Sequence, residues 1–242
     1  MTTLIAVYTT RAGQTSSHWA ASLAWTLAER QRVLLVDCDM EGGTLADLFR
    51  LSIGEKSIAN CFGDRSVSPA HLDAQAVPHP RRTSLRVVPG LSRSYGYEVS
   101  ELLRVVEPAL RNADADIVIA DLGHPLSHPG LRSPRAAAAA ICGLFGRAFI
   151  VIGDEPALVA RSISVLGAAQ PRHGEVIICH RRGRAYRRAI TASVQRNLPD
   201  LPVRDVWQWD EQRALRFLET GTPPALEGIA HDLGLVTPVA AR

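Results

Sequence analysis

The chain has 242 residues, 46% of them hydrophobic and 21% charged, with 27 basic against 24 acidic side chains and a net charge of +3. That composition excludes extensive disorder and supports a full core. No apolar run approaches the roughly 20 residues that cross a bilayer, and so small a net charge leaves any nucleic-acid surface to be decided locally. Lys56 is the only lysine.

In chain order, short apolar runs alternate with amphipathic or alanine-rich stretches, the pattern of a parallel sheet covered by helices. Strands are predicted at 4–8, 33–37, 85–88, 117–121, 149–152, 176–179 and 203–206, and helices near 17–30, 43–50, 98–112, 135–145, 156–168, 185–197 and 211–220. Runs such as LIAV, VLLV and IVIA are apolar without alternation, as in strands covered on both faces. The expected fold is one α/β domain over 1–242, with a mostly parallel sheet of seven or eight strands and helices on both faces. Residues 64–83, rich in Pro, His, Ser and Arg and without period, are expected to be a surface excursion from it. The N-terminus shows no secretion signal, so a cytoplasmic protein is expected. Cys38, Cys61, Cys142 and Cys179 lack C-x-x-C spacing and read as buried thiols rather than a zinc or redox site.

Ligands of open parallel sheets bind at the carboxyl ends of strands, where helix N-termini present free N–H groups. After the first strand the chain reads Thr9-Thr10-Arg11-Ala12-Gly13-Gln14-Thr15-Ser16-Ser17-His18, then A-x-x-L-A-x-x-L-A. The stretch RAGQTSSHWAASLAWTLAERQRVLLVDCDMEGGTLADLF resembles the start of ParA/MinD-type ATPases, KGGxGKTTxAxNLAxxLAxxGxxVLLIDxD. Arg11 stands at the family's signature lysine, Ala12 and Gly13 at its paired glycines, Thr15 at its third glycine, Ser16 at the phosphate-binding lysine and Ser17 at the magnesium-ligand threonine. The resemblance continues to Asp37 and Asp39 at the D-x-D, to Asp121 at the strand-end aspartate, and through VVPG, FIVIGDEP and VRDVWQWDEQRALRFLETG. It covers nearly the whole chain and is nearest to MinD-like actinobacterial and TadZ/CpaE-like pilus-assembly members.

The resemblance implies a deviant phosphate-loop fold, usually dimeric, that takes ATP or ADP with magnesium. It assigns residues 11–18 to the phosphates, Ser17, Asp37, Asp39 and Asp121 to the metal, and Arg11 and Asp39 as the catalytic candidates. His180 falls at or near the Asn that contacts adenine, and Trp209 and Asp210 fall in the second base-contacting loop. The loop is chemically eroded, however. Such loops need glycines to turn backbone N–H groups inward and a lysine to neutralise phosphate. A β-branched Thr15 is out of place if its φ is positive. Exchanging lysine for Ser16 removes a charge-assisted contact worth about 1.5–3 kcal/mol.

Weak or absent ATP hydrolysis is therefore expected, in a positioning or assembly scaffold that works with a protein partner of a positioning, pilus or secretion system. An active ATPase with Arg11 compensating for the lost lysine is the alternative, and binding of no cofactor is a competing expectation. On a purely structural reading, Ser16 and Ser17 only cap a helix and the tryptophans only pack into a core. A third function is open at Arg181, Arg182, Arg184, Arg187 and Arg188, five arginines in nine residues. They suit non-specific DNA binding or a solvated helix start, and Arg81 and Arg82 would join them if the fold permits. The C-terminal stretch lacks a basic amphipathic helix, so no direct membrane insertion is expected.

Overall fold

The protein is described by a computed structural model covering residues 2–61, 67–91, 99–127, 131, 133–181 and 184–235. The first half runs β1 (Thr3–Thr9), α1 (Ser16–Leu27), β2 (Val33–Asp37), α2 (Leu45–Leu48), a 3-10 turn at Ile58–Cys61, α3 (Pro69–Gln75), β3 (Val77–His79), β4 (Arg82–Val88) and α4 (Val99–Arg111). The second half runs β5 (Ile117–Asp121), α5 (Pro134–Leu144), β6 (Arg147–Gly153), α6 (Pro156–Ala169), β7 (Glu175–His180), α7 (Arg184–Asn197), β8 (Val203–Gln208), α8 (Glu211–Thr220) and α9 (Glu227–Asp232).

Among the described residues these strands form one eight-stranded sheet in the order β3-β4-β2-β5-β1-β6-β7-β8. All neighbours are parallel except β3, which pairs antiparallel with β4 at one edge. The expected α/β class with helices on both faces is observed. Strand alternation divides the core between two layers. Leu4, Ala6 and Tyr8 of β1 face a cluster built with α3 to α7. Ile5 and Val7 face the opposite cluster, built with α1, α2, α8 and α9. Each strand is apolar along its length because both faces are covered, which removes the period-2 pattern of a half-exposed strand.

Two elements differ from the sequence expectation in the stretch read as a surface excursion, whose residues 64–66 lie outside the described ones. Residues 67–83 hold α3 and β3, with Val67, Leu72 and His79 buried. The Ser68 side chain accepts the His71 N–H at 3.1 Å, with Pro69 in the first turn. That pair is an N-terminal signal visible in the sequence. β3 is three residues with a central proline, tolerable only at an edge. Lys56 is structural: its Nζ donates to Ala76 O at 2.9 Å and fastens the 3-10 turn segment to the end of α3.

Register sets the site. Asp37 pairs with Asp121 across β2 and β5, and Val7 pairs with Asp121 across β1 and β5. β2 and β5 therefore end level, and β1 runs two residues further, to Thr9, before the loop that enters α1.

Candidate functional site

β1 ends at Thr9 and α1 starts at Ser16, so residues 10–15 form the loop above the sheet. Gly13 has φ +80° and Thr15 φ +65°. Left-handed backbone is permissive for glycine and costs an L-residue about 1–2 kcal/mol. Thr15 holds it with its hydroxyl 2.5 Å from Gln14 O and 3.1 Å from Cys179 Sγ. Gln14 is buried, its Oε1 accepts from Thr9 Oγ1, and its Nε2 has no hydrogen-bond partner among the described residues. Thr10 Oγ and Ser162 Oγ are 2.6 Å apart, tying the loop to α6. Ser16 is buried at the helix start, whereas Arg11 and Ala12 are exposed.

A cavity of about 310 Å³ opens beside the loop, lined by Gly13, Ser16, Ser17 and His18 on one side and Asp39, Glu41, Gly123 and His124 on the other. Among the described residues lining it there is no lysine or arginine, and Arg11 is not on its wall. His124 Nε2 lies 3.1 Å from Glu41 Oε1, bridging the loops that follow β5 and β2. Sequence reading missed this pair. Nothing in the sequence couples 41 to 124, although both residues lie just beyond strand-end aspartates.

The three sequence-selected aspartates have different surroundings. Asp37 is fully buried, with Oδ2 accepting from Leu45 N at 3.0 Å and Oδ1 from Asp39 N at 3.3 Å. It thereby organises the start of α2. A Cβ on Gly43 or Gly90 would lie 2.5 or 2.6 Å from Asp37 carboxylate atoms, so two glycines make room for it. Asp121 is also fully buried; Oδ1 accepts from Gly123 N at 3.2 Å, and Oδ2 has no hydrogen-bond partner among the described residues. Burial raises the pKa of Asp37, with the Asp121 charge adding to it. Burial likewise raises that of Asp121, against the pull of the Ser17 hydroxyl. Asp39 alone of the three reaches the cavity wall, and its Oδ1 accepts from Glu41 N at 3.0 Å.

Among the described residues no group of three His, Cys, Asp or Glu side chains could hold a metal ion. The donor set does suit magnesium, which keeps several waters and uses one or two carboxylates together with substrate phosphates. Ser17 and Asp39 line the cavity, and the orphaned Asp121 Oδ2 below them matches a water-mediated contact.

On the other side of the loop lies the region expected to take a base. His180 is buried, and its carbonyl accepts from Trp209 N at 2.9 Å. His18 packs edge-on against Trp209 at 5.1 Å and Phe217 at 5.8 Å, and burial lowers its pKa. Trp207 is buried and lies edge-on to Trp209 at 5.6 Å, the packing role that sequence reading weighed against a base platform. Asp210 caps α8, accepting from Arg213 N at 3.1 Å. A cavity of about 270 Å³ lies against this cluster, walled by His18, Trp207, Trp209 and α9 residues Gly228 and Ile229.

The arginine cluster runs from the end of β7 into α7. Arg181 is exposed with Cζ 5.3 Å from the Trp209 ring, and its N–H donates to Asp154 Oδ2 at 2.9 Å. Arg187 and Arg188 are exposed on α7, where Arg184 is the first residue; Arg182 lies outside the described residues. Arg81 and Arg82 do not join them. They stand at the start of β4, far across the sheet from β7 and β8, where Arg81 Nη1 donates to Thr222 Oγ1 at 2.8 Å and Arg82 stacks on Trp25 at 3.9 Å.

No protein-family model matches the sequence, and no curated protein does. Solved structures do. The chain superposes on one from the MinC:MinD cell division protein complex of Aquifex aeolicus with a TM-score of 0.73 at 16% identity, covering 99% of this chain and 98% of that one. The ParA family ATPase of Chlorobium tepidum TLS gives 0.73 at 16%, covering 97% and 99%. The septum site-determining protein MinD of Pyrococcus horikoshii OT3, complexed with Mg-ADP, gives 0.65 at 18%, covering 92% and 87%. The chain therefore has the fold of the MinD and ParA ATPases, over essentially its full described length.

Proposed function

We propose that this chain is a dimeric positioning or assembly scaffold of the ParA/MinD type that binds magnesium nucleotide weakly and hydrolyses ATP slowly or not at all. One observation carries the reading: of two cavities that meet this loop, the one lined by Ser16, Ser17, Asp39 and Glu41 has, among its described residues, no lysine or arginine, while Arg181 lines only the other, with Gln14, Thr15 and Asp154. Preorganised positive groups aimed at developing phosphate charge are usually the largest catalytic contribution. Their loss lowers turnover more than binding, because N–H groups at the helix start still attract anions.

Ser17, Asp39 and Asp121 would hold the metal, which when bound supplies charge neutralisation between the carboxylates and the phosphates. Asp37 supports them from beneath by fixing the backbone of Asp39 and Leu45. Arg11, exposed at the loop tip, would act across a dimer interface rather than within its own cavity. The scaffold role draws on the fold: one solved structure of this fold is a MinC:MinD complex and another is MinD with Mg-ADP. The test is calorimetric titration with MgATP and MgADP, combined with a phosphate-release assay. Binding with turnover no higher than that of Asp39→Ala supports the reading. Rapid turnover lost in Arg11→Ala would instead establish an ATPase with a substitute cation.

A further inference from the structure

The cavity beside the loop has an acidic wall, yet the proposed nucleotide reading, on which this inference rests, requires it to receive phosphate. Only two lining residues can present a ring N–H there, His18 and His124. The His18 ring is already packed edge-on against Trp209 and Phe217. His124 remains. Its side chain is 10% exposed, it stands on the wall opposite Ser16 and Ser17, and its Nε2 is 3.1 Å from Glu41 Oε1.

We propose that His124 is the phosphate-contacting group of this cavity and that Glu41 occupies its Nε2 until the terminal phosphate of a nucleoside di- or triphosphate displaces it. The two partners differ in how firmly they are placed. His124 follows Gly123, whose φ of +59° fixes a tight turn against Asp39, and its carbonyl accepts from Ser127 N at 3.2 Å. Glu41 is an exposed residue whose side chain is 35% exposed, and it precedes Gly42 at φ +134°. A partly exposed contact of this kind contributes little, so exchanging the carboxylate for a phosphate oxygen costs little. It also moves a negative charge out of the anion's path. An imidazole N–H donates to either oxygen without a change of protonation, so the exchange is a swap of acceptors. Glu41 would thereby report phosphate occupancy to the loop after β2.

The experiment uses the full chain and magnesium pyrophosphate as probe, with affinity by calorimetry and ring nitrogens followed by NMR on protein labelled at histidine. His124→Leu is expected to weaken binding about tenfold or more, as for loss of a hydrogen bond to a charged group. His124→Gln, which keeps a donor, should retain most of the affinity, and Glu41→Gln should raise it several-fold. The ring signal absent from His124→Gln should be the one that moves on titration. Thermal unfolding of each variant verifies its fold, and His124→Gln with Glu41→Gln suffices if the leucine variant does not fold. Pyrophosphate affinity indifferent to all three substitutions, a stationary His124 signal at saturation, or no binding by either wild type or Glu41→Gln would overturn the proposal. His124-dependent pyrophosphate binding without MgATP or MgADP binding would overturn the nucleotide part of the proposal and leave His124 as the contact of a non-nucleotide phosphate.

Discussion

Gly123→Ala would put a methyl group where the Asp39 carboxylate already lies. A Cβ at Gly123 falls 2.4 Å from Asp39 Cγ, 2.5 Å from Oδ1 and 2.6 Å from Oδ2. Ordinary contacts between such atoms need about 3.5 Å, so the carboxylate must move by about 1 Å and weaken its bond from Glu41 N. Overpacking of this kind costs about 1–3 kcal/mol, and the left-handed backbone of residue 123, at φ +59°, adds about 1–2 kcal/mol for any side chain. The stiffer unfolded chain offsets up to about 1 kcal/mol, leaving a net destabilisation of about 1–5 kcal/mol. In an Asp39→Ala background the steric part disappears and only the backbone cost less the same offset, about 0–2 kcal/mol, remains. Urea unfolding of the four proteins, with unchanged slopes, gives the coupling directly. Additive losses would refute the contact, and with it the claim that Gly123 exists to seat Asp39 at the cavity wall.

At Thr15, glycine should be more stable than alanine by about 1 kcal/mol, the reverse of the helix-interior order, as read from denaturation midpoints; alanine equal or better would contradict the positive φ. His79 is buried with Nε2 3.2 Å from Gly221 O and Nδ1 accepting from Arg81 N at 3.2 Å, and burial lowers its pKa. Because the folded ring resists a proton that the unfolded ring accepts below about pH 6.5, stability is full above that value and is lost as pH falls through it. His79→Asn should flatten the decline in urea midpoint between neutral and mildly acidic pH, leaving a residue from His18, whose shift has the same sign. Asp210→Ala should cost about 1 kcal/mol of stability through loss of the α8 cap while leaving nucleotide affinity unchanged in calorimetry; a selective loss of affinity would restore Asp210 as a base contact.

The central strands were legible because burial on both faces writes them as unbroken apolar runs, VLLV and IVIA among them. β3 was not, since Val77-Pro78-His79 is too short to show a period, and α9 is a six-residue helix following a Pro-rich turn. The loop and the three aspartates could be located from their order along the chain, but their separate duties could not. That Asp37 caps α2 from below while Asp39 faces the cavity depends on register between β2 and β5 and on Gly43, Gly90 and Gly123 as packing partners. The Glu41–His124 contact joins residues on different crossovers, which no local pattern encodes. Arg81 and Arg82 illustrate the converse: adjacency to a basic segment in composition gave no guide to the sheet edge on which they lie.

Phosphate release from saturating MgATP, with occupancy of the site established by calorimetry in the same buffer, tests most directly whether a cavity without a lysine or arginine has lost turnover. The expected result is an occupied site whose turnover does not fall further in Asp39→Ala or Asp121→Ala. Sustained turnover that Asp121→Ala abolishes while the fold survives would contradict it.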